Sequence, residues 1–158
     1  MSSHAAFPAA YAPVVVEPGV GPSRTEFDLS PVLARAKQEG KRVYVYLGAH
    51  DCGYCRRYEA FLEQNAAKLK PHFARDYIVA DLRSSLTVPA SEVYIRIGAK
   101  SLPYLAFQLS IGDERTRALV YPNVWLLDAD AKPLMQMPTG AGTFQTVPEQ
   151  LGILRLEQ

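Results

Sequence analysis

The sequence predicts an α/β domain: a central mixed β-sheet with helices on both faces. Three observations carry that prediction. An apolar run at 43–47, a helical pattern after residue 52 and a second apolar run at 77–82 follow in the order strand, helix, strand. Such a unit needs a crossover between parallel strands, and the crossover is right-handed. Near the end of the chain, 124–127 and 133–137 flank the short turn segment 128–132 and read as a β-hairpin. Helix signals at 30–40 and after Thr146 bracket this sheet-forming part.

The elements follow in order. Residues 1–25 are rich in Ala, Val and Pro, with Pro8, Pro13, Pro18 and Pro22 spaced through them. Proline at that density disfavours helix and gives extended chain. Two readings stay open for this segment: Val14-Val15-Val16 adds an edge strand, or the whole is a tether of the kind that suits an exported or anchored protein. Residues 26–158 form the folded domain. Ser30 is a good N-cap, Pro31 suits the first helical position, Leu33 and Ala36 share a face, and Gly40 is a natural stop. In the strand that follows, Val43, Val45 and Leu47 alternate with Tyr44 and Tyr46. Apolar or aromatic residues at every position predict a strand covered on both faces.

After Cys52 a helix is expected to run to about Lys70, with Cys55, Tyr58, Leu62, Ala66 and Leu69 on one face and Pro71 ending or bending it. Residues 90–98 and 102–109 are expected to be helical, with Pro89 and Pro103 as punctuation and Gly112-Asp113 as a turn. Tyr94, Arg96, Tyr104, Phe107, Arg115 and Arg117 lie in this stretch; the aromatics read as core and the arginines as a solvated face. Pro138 to Gly142 reads as a loop. Thr146 caps a last helix with Leu151, Ile153 and Leu154 inward.

The chain has 158 residues, enough for one domain with a sizeable core. A charged fraction of 21% beside 48% hydrophobic residues is an ordinary globular composition. Net charge is +1, which argues against nucleic acid or an anionic membrane as the main partner. No apolar run approaches the ~18 residues of a membrane span. The N-terminus shows no basic region followed by an apolar block, so no secretory signal is read. Cysteine usage leaves the compartment open, because one redox pair suits either side of a membrane.

Chemistry concentrates in Asp51-Cys52-Gly53-Tyr54-Cys55, which holds both cysteines of the chain. The strand feeds a tight turn, and the first sulfur falls at a helix N-terminus. Unpaired backbone N–H groups and the helix dipole favour an anion there, hence a thiolate over a thiol. In Cys-X-X-Cys sites the thiol pKa falls from about 8.5 to between ~3.5 and ~7.5. Cys52 is read as the exposed attacking sulfur and Cys55, one turn on, as the resolving sulfur. Arg56, Arg57 and His50 add positive charge nearby, and Asp51 opposes them. Zinc wants four ligands. There is no second cysteine pair, and His4, His50 and His72 lack ligand spacing, so no metal is expected. A purely structural disulfide closing so short a loop adds little constraint to the unfolded chain.

Strand, Cys-X-X-Cys helix, strand, then a proline just ahead of a hairpin and a closing helix: over about residues 28–157 the chain resembles the thioredoxin-fold family. The specific part is the combination of Cys52-Gly53-Tyr54-Cys55 with Tyr121-Pro122. The resemblance implies that Pro122 is a cis-proline packed against the cysteine pair, preceded by a helical insertion. It also implies that Gly53, Tyr54, Tyr121 and Pro122 contact substrate, with the Tyr121 backbone pairing an extended segment as a short β-addition. The chain looks closer to the bacterial branch of small thioredoxin-like proteins, in which a helix precedes the stretch matched here by Lys41 to Gly48. Its tetrapeptide is similar to those of the periplasmic disulfide isomerases and of glutaredoxins. Departures from thioredoxin proper are Asp51 in place of Trp, Tyr46 in place of a buried acid, and a longer 83–120 segment. Asn123-Val124-Trp125 is unlike a glutathione site.

The resemblance implies a thiol–disulfide oxidoreductase with Cys52 as nucleophile and Cys55 resolving, needing no cofactor beyond that pair. Its partners would be protein thiols or disulfides and an upstream redox protein, in a periplasmic or otherwise exported setting before a cytoplasmic one. Two other readings stay open, since a fold does not dictate activity. One is a non-catalytic binding module or redox sensor, gripping a partner through 83–120. The other is delivery of reducing equivalents to metal-site cysteines. Oligomeric state is not legible.

Overall fold

The computed structural model describes residues 7–111, 119, 121–136 and 146–156. Its nine strands, among the described residues, form two sheets. β1 (Val14–Val16), β4 (Arg42–Ala49), β5 (Tyr77–Ser84), β8 (Asn123–Leu127) and β9 (Pro133–Gln136) make the five-stranded one. Their order is β1-β5-β4-β8-β9, with β1, β5 and β4 parallel and β8 and β9 antiparallel additions. β2 (Gly19–Gly21), β3 (Arg24–Asp28), β6 (Val93–Ile97) and β7 (Lys100–Pro103) make a smaller sheet in the order β2-β3-β6-β7. The helices are α1 (Ser30–Glu39), α2 (Gly53–Gln64), α3 (Ala66–Asp76), α4 (Tyr104–Ser110) and α5 (Val147–Leu154).

β4 sorts its side chains by the two-residue period of a strand. Val43, Val45 and Leu47 join Ile78, Ala80, Leu82, Trp125 and Leu127 on one face, covered by α1, α4 and the smaller sheet. Tyr44 and Tyr46 join Val79, Val124 and Leu126 on the other, covered by α2, α3 and α5. The expected strand buried on both faces is the one observed. The second face is rich in tyrosine, and its hydroxyls are paired as burial demands. Tyr58 donates to Gln150 Oε1 at 2.8 Å, so the short Tyr44–Tyr58 contact takes its proton from Tyr44. Gln150 Nε2 donates back to Tyr44 at 3.2 Å and closes the ring. Gln150 thus ties α5 to the sheet, beside the expected Ile153 and Leu154, which are buried, and Leu151, which is half-buried.

Several expectations are corrected. The helix after Cys52 does not run unbroken to Lys70: it stops at Asn65, whose side-chain amide donates to Phe61 O at 2.8 Å, and a second helix begins at Ala66. Pro71 neither ends nor precedes a break; it lies inside α3 and forfeits only the bond its own nitrogen would make. Ser30 is not the N-cap of α1. Leu29 occupies that position, Asp28 Oδ1 accepts the Ser30 N–H at 2.9 Å, and the Ser30 hydroxyl accepts from Gly98 N at 2.7 Å. Gly40 does stop α1, at φ 67°, in the left-handed region that glycine enters without penalty. Residues 90–98 are not helical: a 3₁₀ turn at Ala90–Glu92 leads into β6. The segment ahead of Pro122 therefore carries two strands as well as the expected helix, here α4. Thr146 caps α5, accepting the Glu149 N–H at 3.3 Å, as expected. The turn at Gly112-Asp113, the loop from Pro138 to Gly142, Arg115 and Arg117 fall outside the described residues.

Of the two readings of the N-terminal segment, the edge strand is the one seen: β1 pairs in parallel with β5, Val15 opposite Asp81. Phe7 is 2% exposed. Its ring meets Tyr11, Tyr44, Tyr46 and Phe73 edge-on at centroid distances of 5.3, 5.7, 5.4 and 5.8 Å. Edge-to-face pairs add to the area term. Phe7→Ala should therefore cost about 3–5 kcal/mol in urea unfolding, the range for a core aromatic. A change under about 0.5 kcal/mol, the surface range, would return this segment to a tether.

Glu26 on β3 knits the smaller sheet together. It accepts from Arg96 Nε and Arg24 Nη2, each at 3.0 Å, and from the Ser101 hydroxyl through a short contact. The Arg96 bond, then those of Ser101 and Arg24, lower its carboxyl from 4.5 to about 2. A depressed acid stabilises the fold above its unfolded value and loses that contribution as pH falls toward the folded one. Stability should drop between pH 4.5 and about 2 by more in the wild-type chain than in Glu26→Gln, read from urea midpoints along that pH series.

Candidate redox site

The site grows from the end of β4. Ala49, the last residue of β4, is held by its pairing with Ser84 of β5, and the chain turns there: Cys52 N donates to Ala49 O at 3.3 Å and His50 N to Ser84 O at 3.2 Å. Arg56, in the first turn of α2, reaches back and donates to Ala49 O at 2.6 Å and to His50 O through a short contact. Its Nε lies 3.6 Å from Glu59 Oε1, an ion-pair contact too long for a hydrogen bond. Its charge is thus spent on the turn and on Glu59.

Cys52 occupies the N-cap of α2 with extended backbone (φ −108°, ψ 114°), and its Sγ accepts the Cys55 N–H at 3.0 Å. The sulfur takes the place that Ser or Asp oxygens take in ordinary caps. A thiolate accepting that bond at the positive end of the helix is favoured over a thiol. Cys52 and Cys55 are paired as a disulfide, Cα atoms 5.2 Å apart. Cys52 is not the exposed sulfur expected: the residue is 3% exposed, Cys55 is fully buried, and Ala49 and Tyr121 pack against them.

Access is through a cavity of about 500 Å³. Cys52, Gly53 and Tyr54 form one wall, Leu86, Val88, Pro89 and Ala90 a second, and Leu119 with Tyr121 a third. Tyr121 donates to Ser84 Oγ at 3.1 Å, and burial raises its pKa. The Tyr121–Pro122 bond is cis. Of the residues singled out from sequence, Cys52, Gly53, Tyr54 and Tyr121 share this cavity, whereas Pro122 is outside its lining. Behind it, Asn123 Nδ2 donates to Tyr104 Oη at 2.7 Å and anchors β8 to α4.

The flanking charges resolve differently from their sequence neighbourhood. Asp51 accepts from Leu86 N at 2.8 Å and Ser85 Oγ at 3.1 Å. The Leu86 bond is the main reason its carboxyl lies below the ordinary range. The Arg57 guanidinium stands over the Tyr54 ring, 5.3 Å from its centroid. Two carboxylates that sequence reading missed flank Tyr46. Tyr46 donates to Glu59 Oε2 at 2.6 Å, and Asp81 is its register partner on β5. Burial, then the Glu59 charge, hold the Tyr46 hydroxyl well above its usual pKa, so it remains a donor. Glu59 was findable, one helical turn after Cys55 on the same face. Leu86 and its neighbours had no such signal, because only the tertiary fold brings them to Cys52.

Among the described residues, no group of three or more His, Cys, Asp or Glu side chains is arranged to hold a metal. Nor is any described helix long and apolar enough to cross a membrane.

A βαβ unit with a cysteine pair at the mouth of its helix, a cis X–Pro bond and a closing hairpin define a thioredoxin fold with a redox-type site. The thioredoxin-like domain family model matches residues 29–152, and the chain belongs to that family. No match was found among curated protein sequences.

Tyr46→Phe leaves the buried Glu59 without its hydroxyl donor. Hydrogen bonds to charged groups contribute about 1.5–3 kcal/mol. Urea unfolding at neutral pH should show a loss of that size, and Glu59→Gln in the Tyr46→Phe background should recover part of it.

Proposed function

We propose that the chain is a thiol–disulfide oxidoreductase acting on protein substrates. The observation that carries this reading is the Cys55 N–H donated to Cys52 Sγ at the N-cap of α2. It gives Cys52 a specific anion-stabilising contact that an inert structural cysteine lacks. In the reducing direction, the Cys52 thiolate attacks one sulfur of a substrate disulfide. A Cys52–substrate bond forms, the substrate S–S bond breaks, and the departing sulfur leaves as a thiolate that takes a proton from water. Cys55 then loses its proton and attacks Cys52 Sγ. The second substrate thiol leaves, reduced by two electrons in all, and the Cys52–Cys55 disulfide remains. Every step is reversible, so the same site oxidises dithiols when its redox partner supplies it as the disulfide.

Gly53, Tyr54 and Tyr121 would frame the bound substrate, and an extended segment would pair with the Tyr121 backbone beside Pro122. Partners would be protein thiols and disulfides together with an upstream protein that resets the pair. An exported, periplasmic setting fits an oxidising role; the reduction potential decides. A value near about −270 mV makes it a reductase, and one between about −120 and −180 mV an oxidant or isomerase.

Cys52→Ser should abolish exchange with insulin or a dithiol peptide, and Cys55→Ser should accumulate mixed disulfides, visible on non-reducing gels. Full activity in Cys52→Ser would refute the mechanism.

A further inference from the structure

We propose that this site selects a cysteine lying next to a large apolar residue, with Leu86 as the specificity-determining contact and Asp51 as the residue that positions it. The inference rests on the exchange reading above and names its substrate class. Cys52 is 3% exposed, so a disulfide that meets its sulfur must enter the cavity it lines. The cavity's volume, about 500 Å³, lies within the range of clefts that enclose small ligands, about 300–1,000 Å³. None of its described lining residues carries a charge, so a charged neighbour of the incoming cysteine would lose water there without gaining a partner among them.

Two large side chains stand open at this cavity: Leu86 is 54% exposed and Tyr54 50%. Both are held rather than loose. The Arg57 guanidinium backs the Tyr54 ring. Leu86 is presented by a turn closed on itself, with Val88 N donating to Ser85 O at 3.1 Å and Thr87 N to Ser85 Oγ at 3.2 Å. Asp51 fastens that turn through Leu86 N and Ser85 Oγ. Asp51 precedes the attacking cysteine in the chain, so one carboxylate sets the spacing between the reactive sulfur and the apolar wall. An apolar side chain beside the substrate cysteine would cover Leu86 and Tyr54 together.

The test uses the full chain, reduced, in single-turnover exchange with short peptides whose one cysteine is disulfide-linked to glutathione. The residue after the cysteine is Leu, Asp or Lys. Glutathione disulfide alone serves as the substrate without a peptide. The Leu peptide should react at least about 10-fold faster than the Asp peptide, the discrimination one apolar contact supplies. Leu86→Asp should bring that ratio near one and make the Lys peptide the best of the three, while Leu86→Met should keep the wild-type order. Asp51→Ala should lower the Leu preference, and Asp51→Asn, which retains an acceptor for Leu86 N–H, should restore most of it. Equal rates for the wild-type protein on all peptides, or a Leu preference that survives Leu86→Asp, would overturn the proposal while leaving exchange itself standing. Failure to react even with glutathione disulfide would overturn the function beneath it.

Discussion

Strand β4 is the constraint from which the rest follows. Residues 43–49 are all buried and paired along one edge with β5, and 43–47 are paired along the other with β8. Each large side chain so buried contributes about 1.5–3 kcal/mol, against about 0.5–1.5 kcal/mol for a single hydrogen bond in the turn that follows. The strand therefore dictates where the turn begins, and the turn adapts. Ala49 O is a fixed post. Arg56 grips it, and Cys52 inherits its position at the start of α2 from that grip. The position of Cys52 thus follows from the packing of the sheet behind it.

The cavity wall opposite the sulfur is anchored from two sheets. β5 ends at Ser84, and the next turn carries Leu86 to the cavity before Ala90–Glu92 leads into β6. β6 pairs with β3, Phe27 opposite Ile95, and both side chains lie in the first core. The wall is thus fastened by β5 in the large sheet, by β6 in the small one, and by Asp51 from the site itself. This explains why a chain with a longer segment ahead of Pro122 gains a second sheet. A long loop of backbone needs partners for its N–H and C=O groups, and β3 supplies them.

Legibility in the sequence tracked how far each element's signal was local. β4, β5 and the α2 start carry their own evidence in alternation and in the cysteine spacing, and Gly40 and Thr146 announce helix ends by chemistry that acts within one turn. The smaller sheet was invisible for the opposite reason. β3 reads Arg-Thr-Glu-Phe-Asp and buries only Phe27, so it is a strand by virtue of its partner β6. β6 itself has a period of two, Val93 and Ile95 inward against Tyr94 and Arg96. The helix-favouring Ala90 and Glu92 just ahead of it masked that period. The helix break at Asn65 rather than Pro71 has a similar cause. Asn65 competes for the Phe61 carbonyl with its own side chain, a local bond that composition alone does not reveal.

The electrostatics under the cysteine helix show the same division between local and tertiary information. Read along β4, the chain offers Tyr46, a neutral side chain, beneath α2. In space that tyrosine is flanked by carboxylates from two other elements, Glu59 of α2 and Asp81 of β5. Burial raises the Asp81 carboxyl, and Arg83 Nε at 3.1 Å works against that rise. Glu59 is held by the Tyr46 hydroxyl and by Arg56, the same arginine that clasps Ala49 O. The acid beneath the helix and the post that positions Cys52 therefore share one cation. A change in the charge of Glu59 alters what Arg56 can give to the turn, so the buried acid and the geometry of the sulfur are coupled through that guanidinium.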